Sequence, residues 1–475
     1  MAGVKAFFNV TNKYLHFSTH TKSSNIIHRY ISSTSSVPRD VDIVISGGGM
    51  VGAAMACALA HNEMFEKKKI ILLEAAPDRG KYILPENYTN RTCALSPATV
   101  RLLESFGAWN EIKEMRYQPV KRMQVWDACS DALITFNNED LNDDLAYIVE
   151  NDVILAAIMN RLNAAGDNVE IHYSTSATSY KFPGEIDDEG NKESWLTVNL
   201  SNGQSLRTDL LIGADGFRSS IREKSNFHTM NLDYKQMAVV ATLHLSESVE
   251  NTVAWQRFLK TGPIALLPLS ANLSSLVWST TPENAKNLLN IPEDSFVDAV
   301  KDAFWNDNDK DPLTGRILES FSSILQNLLP VSAVSKQLPP TVIGVEEKSR
   351  AAFPLSLTHS SNYVKPRIAL IGDAAHRIHP LAGQGVNLGF GDVSCLNEIL
   401  TKAVGLGSDP GSLKHLLEYE TRRQRHVIPV MATIDGLQRL YTTNFSPLVL
   451  IRSLGLHTTN SLHFIKNRII RQASV

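Results

Sequence analysis

The chain lacks any C-x-x-C pair: its four cysteines, Cys57, Cys93, Cys129 and Cys395, are scattered through 475 residues. That dispersal argues against a disulfide framework and a structural zinc site, and it fits a reducing compartment. Apolar runs are short as well. None reaches the roughly 18 residues needed to span a bilayer, and the longest late candidate, 447–456, is broken by Arg452. The formal net charge is only -3 with both signs interspersed, so the concentrated basic face that nucleic-acid binding requires is missing. Acidic residues are absent from the first 39 positions, which carry Lys5, Lys13, Lys22, Arg29 and Arg39 among many Ser and Thr. A basic, Ser-rich, acid-poor leader with Phe7, Phe8, Tyr14, Leu15 and Phe17 as an apolar face reads as a mitochondrial transit peptide. Residues 1–39 are therefore set apart from the fold.

What is present is a globular α/β pattern. Val41, Ile43, Val44 and Ile45 form a short β-branched run that reads as a buried parallel strand. A glycine turn and a helix of small residues (Ala53, Ala54, Ala56, Ala58, Ala60) follow, then a second run, Ile70 to Leu73, ending at Glu74. This is a βαβ unit. From there to about Ala165 the reading is helices and loops, with a strand segment over 121–150. Leu196 to Leu200 and Leu210 to Ile212 read as strands about a Gly203 turn. Met237 to Leu245 and Ser274 to Thr280 bracket Trp255 to Leu269 and predict an antiparallel sheet domain inserted in the first. Residues 282–345 read as helical, polar and Pro-punctuated. A late strand, Ile368 to Ile371, leads into a helix from Gly385 with Val393, Leu396, Ile399 and Leu400 on one face.

The first chemistry-bearing motif is Gly47-x-Gly49-x-x-Gly52. Its first glycine permits a tight turn, the second lets backbone approach a pyrophosphate, and the third lets helix pack on strand. The pyrophosphate then sits on the helix N-terminus, where unpaired N–H groups favour negative charge. Glu74, 22 residues after Gly52, is placed to accept from the adenosine ribose hydroxyls. These features announce a dinucleotide without separating FAD from NAD.

Two later segments make the separation. Asp209 to Arg222, DLLIGADGFRSSIR, and Ile371 to Gly385, IGDAAHRIHPLAGQG, resemble the second and third motifs of the aromatic-hydroxylase flavoproteins. The resemblance implies that Asp215 and Gly216 help hold FAD and that Gly372 and Asp373 meet its ribitol chain. It also implies that Pro380, Gly383, Gln384 and Gly385 run beside the isoalloxazine, with Asn387 near the same ring. Arg91, in NRTCALS, matches a position where relatives place an arginine against FAD. Taken singly, Asp215 also suits a turn, Asp373 a helix cap and Arg91 a surface ion pair. His376 and His379, spaced i, i+3, have no third metal ligand near them in sequence, and no metal is expected.

The words AWQRFLKTGPIALLPL from Ala254, RAAFPL from Arg350 and DGLQRLYTTNFSPLVLIRSLGL from Asp435 sharpen the resemblance to the UbiH-type branch, and within it to mitochondrial members acting on ring carbon 5 of a polyprenylated 4-hydroxybenzoate. The likeness covers about 40–465. It implies an FAD-dependent monooxygenase of ubiquinone biosynthesis in which reduced flavin and oxygen give a hydroperoxide that an electron-rich phenol attacks. No substrate base is named by the sequence. Trp255, Gln256 and Phe258 become candidates for the polyprenylated phenolic substrate, with a sheet core as the alternative. A second Rossmann unit for NAD(P)H is not visible, since Gly405 to Gly411 lacks the spacing; the resemblance implies electrons from ferredoxin and its NADPH-dependent reductase. It further implies a ubiquinone-biosynthesis multienzyme complex and peripheral attachment to the matrix side of the mitochondrial inner membrane. The stretch from Gly436 onward has no carboxylate and holds Arg439, Arg452, Lys466, Arg468 and Arg471, which suits anionic lipid, a partner protein, or simple packing on the FAD domain.

The expected architecture is a Rossmann-like FAD-binding domain in three parts (40–120, 151–225, 351–430). A substrate domain is drawn from 121–150 and 226–350, and a helical segment from 431–475. Hydroxylation at ring carbon 1, a flavin dehydrogenase without oxygen insertion, and a flavin-fold scaffold stand as the alternative functions.

Overall fold

The computed structural model describes residues 37–130, 132–137, 144–184, 195–246, 250–306, 337–442 and 446–461. Most of the expected leader lies outside them. Arg39, placed in that leader by sequence, already belongs to the first strand: it pairs with Leu206 and its guanidinium meets Glu170 at 2.7 Å.

The β-branched run forms the strand Arg39–Ser46, flanked in parallel by Ile70–Leu73 and Ser205–Gly213. Val169–His172 and Ile368–Leu370 extend this sheet in parallel on either side. Ile43, Val44, Ile45, Leu210, Leu211 and Ile212 are completely buried, which is why the strands read as continuous apolar runs: both faces of the sheet are covered. The alanine-rich helix Met50–Ala60 lies close against this sheet because most of its side chains are small and buried. The helices Asn151–Asn163 and Gly385–Gly405 pack on it. Its N-terminus opens at the carboxyl end of the first strand, where ligands bind in open α/β sheets.

Among the described residues a nine-stranded sheet forms the second layer. Its long strand Thr229–Leu245 pairs antiparallel with Leu273–Thr280 and Ala351–Ser360. The sheet is not wholly antiparallel, as the sequence reading expected. Arg122–Asp127 joins Val253–Leu259 in parallel, and Leu133–Asn137 completes that edge. The strand Ala146–Glu150, which sequence grouped with the substrate domain, pairs instead with Thr92–Leu95 and Gln118–Val120 in a small third sheet. The region read as helical from 282 holds Pro282–Asn290 and Glu293–Trp305, then a strand, Val342–Val345, after an interval outside the described residues.

Strand alternation divides the large sheet chemically. One face, with Trp255, Ile264, Leu266, Leu276 and Trp278, packs under the two helices after 281. The opposite face, with Val125, Ile134 and Phe258, packs on Ile378, Leu381 and Leu388 and on the helix Leu413–Tyr441. Phe258 stacks on Tyr441 with ring centroids 3.8 Å apart. That second face is turned toward the flavin-type motifs.

The C-terminal helix Ser446–Ser461 corrects one expectation. Arg452 does not face lipid: it is 3% exposed and forms a two-pronged pair with buried Asp127, at 2.7 and 3.0 Å. A fully desolvated pair of this kind fixes where the helix docks. Lys466, Arg468 and Arg471 lie outside the described residues. Among the described residues no helix is long and apolar enough to cross a membrane.

Candidate active site

The three sequence motifs, over 320 residues apart at their extremes, converge at one end of the parallel sheet. Gly47 adopts φ +110, and a β-carbon there would lie 2.4 Å from the carbonyl oxygen of Ala214. The first glycine therefore sets the turn directly against the Asp215 motif. A β-carbon on Gly52 would meet the Gly47 carbonyl at 1.9 Å, whereas one on Gly49 would meet no atom within 4 Å. The two positions thus separate two duties: Gly52 closes the fold, and Gly49 leaves space above the helix. That helix start has no side-chain cap and no acid in its first turn, so its N–H groups and dipole remain available to an anion.

Glu74 stands at the end of the second strand as expected. Its carboxylate accepts from the backbone N–H of Gly48 at 2.8 Å and of Ala76 at 2.6 Å. Each oxygen keeps a further lone pair for a hydroxyl donor. Gly48 was not singled out by the fingerprint, although a β-carbon there would fall 2.5 Å from Glu74 Oε2.

In the second motif, Asp215 Oδ2 accepts from the N–H groups of Ser220 and Ile221, while its Oδ1 is buried with no hydrogen bond among the described residues. The turn-forming role is real and leaves one oxygen over. Gly216 has φ +77 with open space beside it. Arg222, which ends the second motif and was not singled out by sequence, donates to the carbonyls of Ala374 at 2.8 Å and Asp373 at 3.3 Å in the third. This pins the turn so that the Asp373 carboxylate, free of hydrogen bonds among the described residues, faces the same space. Burial pushes its pKa up, although Arg377, His376 and Arg222 pull the other way. A hydroxyl donor would relieve that penalty.

The opposite side of this turn is held by Asp392, which is completely buried. Its Oδ2 accepts from Gly372 N at 2.8 Å and from His376 Nε2 at 2.7 Å, and its Oδ1 accepts from Arg423 Nε at 2.7 Å. Burial opposes ionisation of Asp392, but His376 and Arg423 outweigh it and hold the carboxyl below its ordinary range. The signal was present in sequence: Asp392 lies four residues after Leu388 and four before Leu396, on the apolar face of its helix.

Asn387 is engaged with protein on every side. Its Oδ1 accepts from Ser96 N and Thr99 Oγ1, and its Nδ2 donates to the carbonyls of Ala94 and Gly383. All four hydrogen-bonding positions are committed to protein, so this side chain clamps the strand after Arg91 to the Gly383 turn and keeps no donor or acceptor for a ligand. Arg91 itself is exposed and its guanidinium makes no hydrogen bond among the described residues. A β-carbon on Gly383 would lie 3.6 Å from Ala94, which brings the Arg91 strand beside the Pro380–Gly385 segment. There Pro380–Ala382 forms a short turn, Gly383 adopts φ +61, and the helix beginning at Gly385 again lacks a side-chain cap or first-turn acid.

The WQRFL word divides by alternation. Trp255 points into the core beneath the two helices and is removed from the substrate candidates. Gln256 and Phe258 occupy the other face, beside Val125 in the register of the neighbouring strand. Gln256 is 5% exposed and has no hydrogen-bond partner among the described residues.

His379 introduces a pH response. Its Nδ1 accepts from Leu381 N at 3.1 Å while its Nε2 is buried without a partner. Burial lowers its pKa to about 4. The unfolded chain, with an ordinary value near 6.5, then binds more protons than the fold between those limits. Stability of the apoprotein should fall as pH drops from about 6.5 to 4, by up to about 1.4 kcal/mol per pH unit from this group. Urea unfolding of wild type and His379→Asn, which keeps an acceptor for Leu381 N, checks this: the variant should show a shallower slope, and parallel slopes would contradict it.

Comparison with known proteins decides the family. The family model described as FAD binding domain matches residues 40–322 and 332–433. The mitochondrial ubiquinone biosynthesis monooxygenase COQ6 of Xenopus tropicalis is 53% identical over 449 residues, spanning 94% of this chain and 95% of that protein. The Homo sapiens protein of the same name is 51% identical over 436 residues, 91% and 92% of the two chains. The chain belongs to this FAD-binding monooxygenase family. Among solved structures, PqsL of Pseudomonas aeruginosa, a probable FAD-dependent monooxygenase, matches with TM-score 0.64 at 19% identity, covering 89% of this chain and 100% of that one. The p-nitrophenol 4-monooxygenase PnpA of Pseudomonas putida matches with TM-score 0.64 at 16% identity, covering 92% and 99%. At these identities the likeness supports the fold alone.

FAD is accordingly the cofactor, and the residues present fit it. The open space over Gly49, the unpartnered Asp215 Oδ1 and the Asp373 carboxylate follow three neighbouring strands at the same end of the parallel sheet. Hydroxyl-rich and anionic portions of FAD match the acceptors and uncapped helix starts found there.

Proposed function

We propose that this protein is a mitochondrial FAD-dependent monooxygenase of ubiquinone biosynthesis that hydroxylates ring carbon 5 of a 3-polyprenyl-4-hydroxybenzoate. Electrons come from ferredoxin and its NADPH-dependent reductase. The observation that carries the reading is the unpartnered Gln256 amide on a sheet face packed against the flavin-loop segment, in a chain about half identical to proteins named for ubiquinone biosynthesis.

Bound FAD supplies the oxygen-activating chemistry. The chain's own residues do the holding and positioning. Gly49 and its helix start receive the pyrophosphate, Glu74 the adenosine ribose and Asp373 the ribitol. Arg91 lies against FAD, and Gln384 and Gly385 present backbone N–H groups to its ring, while the Gly383 N–H closes the turn on the Pro380 carbonyl. Gln256 orients the polar head of the phenolic substrate, while Phe258 and the apolar residues around it exclude water. Replacing Gln256 by Leu should lower kcat/KM about 10- to 100-fold, the equivalent of one hydrogen bond to a buried group, with FAD content unchanged. Steady-state kinetics with a short-tailed substrate would show this, and wild-type kcat/KM would remove Gln256 from the site.

The alternative ring position is separated by the intermediates that accumulate in cells lacking the protein. Carbon-5 activity leaves a prenylated ring without oxygen at that carbon. A ring already oxygenated there would move the reaction to carbon 1.

A polyprenyl tail keeps its substrate in membrane, which gives the C-terminal helix a role in peripheral contact with the matrix side of the inner membrane, within a multienzyme complex. With Arg452 turned inward, the outward surface of this helix includes Leu448 at 38% and Ile451 at 61% exposure. Substituting both by Glu should reduce co-flotation with anionic vesicles several-fold without altering flavin content. Undiminished flotation would remove this helix from the membrane contact.

A further inference from the structure

The pair Arg116–Glu150, with side chains 14% and 1% exposed, lies outside the three flavin motifs and has no part in the roles assigned above. Arg116 Nε donates to Glu150 Oε2 at 2.5 Å and its NH2 group donates to Glu150 Oε1 at 3.0 Å. The remaining donors reach the backbone carbonyls of Pro85 at 2.9 Å, Glu86 at 3.3 Å and Asn87 at 3.1 Å. All five N–H donors of one guanidinium are thereby used, and three of them hold consecutive carbonyls of a single loop.

Glu150 works on the same loop from the other end. Its Oε1 also accepts from Thr89 N at 2.6 Å, and its own backbone stands opposite Thr92 in the small sheet. Asn151 N donates to Arg91 O at 3.0 Å. Tyr88 lies under the guanidinium, 4.0 Å from ring centroid to Arg116 Cζ, and packs on Val120, Ile148, Ala254 and Leu269. Across the domain boundary, Asn87 bonds Glu346, Asn90 bonds the Ser349 carbonyl, and Thr92 bonds Ser275. Every residue from Pro85 to Thr92 therefore has at least one fixed partner apart from the free side chain of Arg91 at its end.

A buried ion pair is a poor source of net stability, because desolvation offsets its attraction. What this pair supplies is direction. We propose that Arg116 and Glu150 are positioning residues for FAD: they hold the 85–92 loop so that Arg91 is presented to the cofactor and Tyr88 closes the adjoining sheet face. The proposal rests on the reading of Arg91 as a cofactor contact. Lysine, a single point charge, cannot span three carbonyls and a carboxylate, so Arg116→Lys should not rescue the function.

The test is the Kd for FAD, from flavin fluorescence titration of the apoprotein, for wild type, Arg91→Ala, Arg116→Lys and the double variant. The apo melting temperature is measured in parallel. We expect each single variant to weaken FAD binding about tenfold and the double variant to bind no more weakly than Arg91→Ala alone, because Arg116 acts through Arg91. Glu150→Gln retains an acceptor for Thr89 N. It should give a smaller loss, also absorbed in the Arg91→Ala background, and it keeps the test open if the lysine variant folds poorly. Full additivity, or FAD binding unaffected by both Arg116→Lys and Glu150→Gln while Arg91→Ala weakens it, overturns the positioning role. Unchanged binding by Arg91→Ala overturns instead the assignment of Arg91 on which that role depends.

Discussion

Gly52→Ala and Gly49→Val should fail in different ways. In the first, the new methyl would lie 1.9 Å from the Gly47 carbonyl and 3.0 Å from the Ala214 side chain. Neither contact is the far end of a flexible side chain, so the turn and the helix must move apart. Overpacking against backbone of this severity is expected to cost about 3 kcal/mol or more and to give little soluble, flavin-bearing protein. At Gly49 the backbone has φ -68 and ψ 179, which any residue adopts, and no atom lies within 4 Å of an added β-carbon. Gly49→Val should therefore fold with a near-normal apo melting temperature and yet be recovered without FAD, since its side chain occupies the approach of the pyrophosphate. The flavin-to-protein absorbance ratio and the apo melting curve, taken together, read both outcomes. A Gly49→Val protein that retains FAD would contradict the cofactor placement described here.

Asp392→Ala should be the most damaging change outside the glycine loop. It leaves Arg423, His376 and the Gly372 N–H without their shared acceptor in a completely buried position. Removing one partner of a buried network costs about 3–5 kcal/mol. The pH dependence follows from the same contacts. The carboxyl pKa is held down in the fold, so the stability it contributes is present above its unfolded value, near 3.9, and is lost as pH falls through the folded value. Urea titrations at neutral and acid pH should show Asp392→Asn weakened at neutral pH and with a flatter acid limb than wild type. Equal stability of Asp392→Ala and wild type at pH 7 would mean that the network is incidental. Because Gly372 N is one of its donors, loosening it should also weaken FAD retention through Asp373.

Much of this was legible in sequence because the features are local. The run Val41 to Ile45, the glycine spacing and Glu74 all lie within one βαβ unit, and the physics of that unit does not depend on distant residues. The family words supplied the order of the later motifs. Three things were not legible. Trp255 and Gln256 are adjacent, and only the pairing of their strand says which enters the core and which faces the flavin segment. Asn387 and Arg452 are polar residues whose partners, Ser96 and Asp127, stand 291 and 325 positions away, so their side chains read as available when they are fully engaged. The loop from Pro85 carries no glycine fingerprint, yet Arg116 and Glu150 organise it through contacts about 30 and 60 residues away in sequence.

Oxygen insertion into an aromatic ring by FAD held among these motifs is open to direct observation. The most direct measurement is turnover of a short-tailed 3-prenyl-4-hydroxybenzoate by the purified holoprotein with ferredoxin, its reductase and NADPH under isotopically labelled molecular oxygen, with the product analysed by mass spectrometry and NMR. One labelled oxygen atom per product, located at ring carbon 5, is expected, and no product from Gly49→Val. An oxidised product carrying no label, or no hydroxylation by a protein whose bound flavin is visibly reduced by these donors, would contradict it.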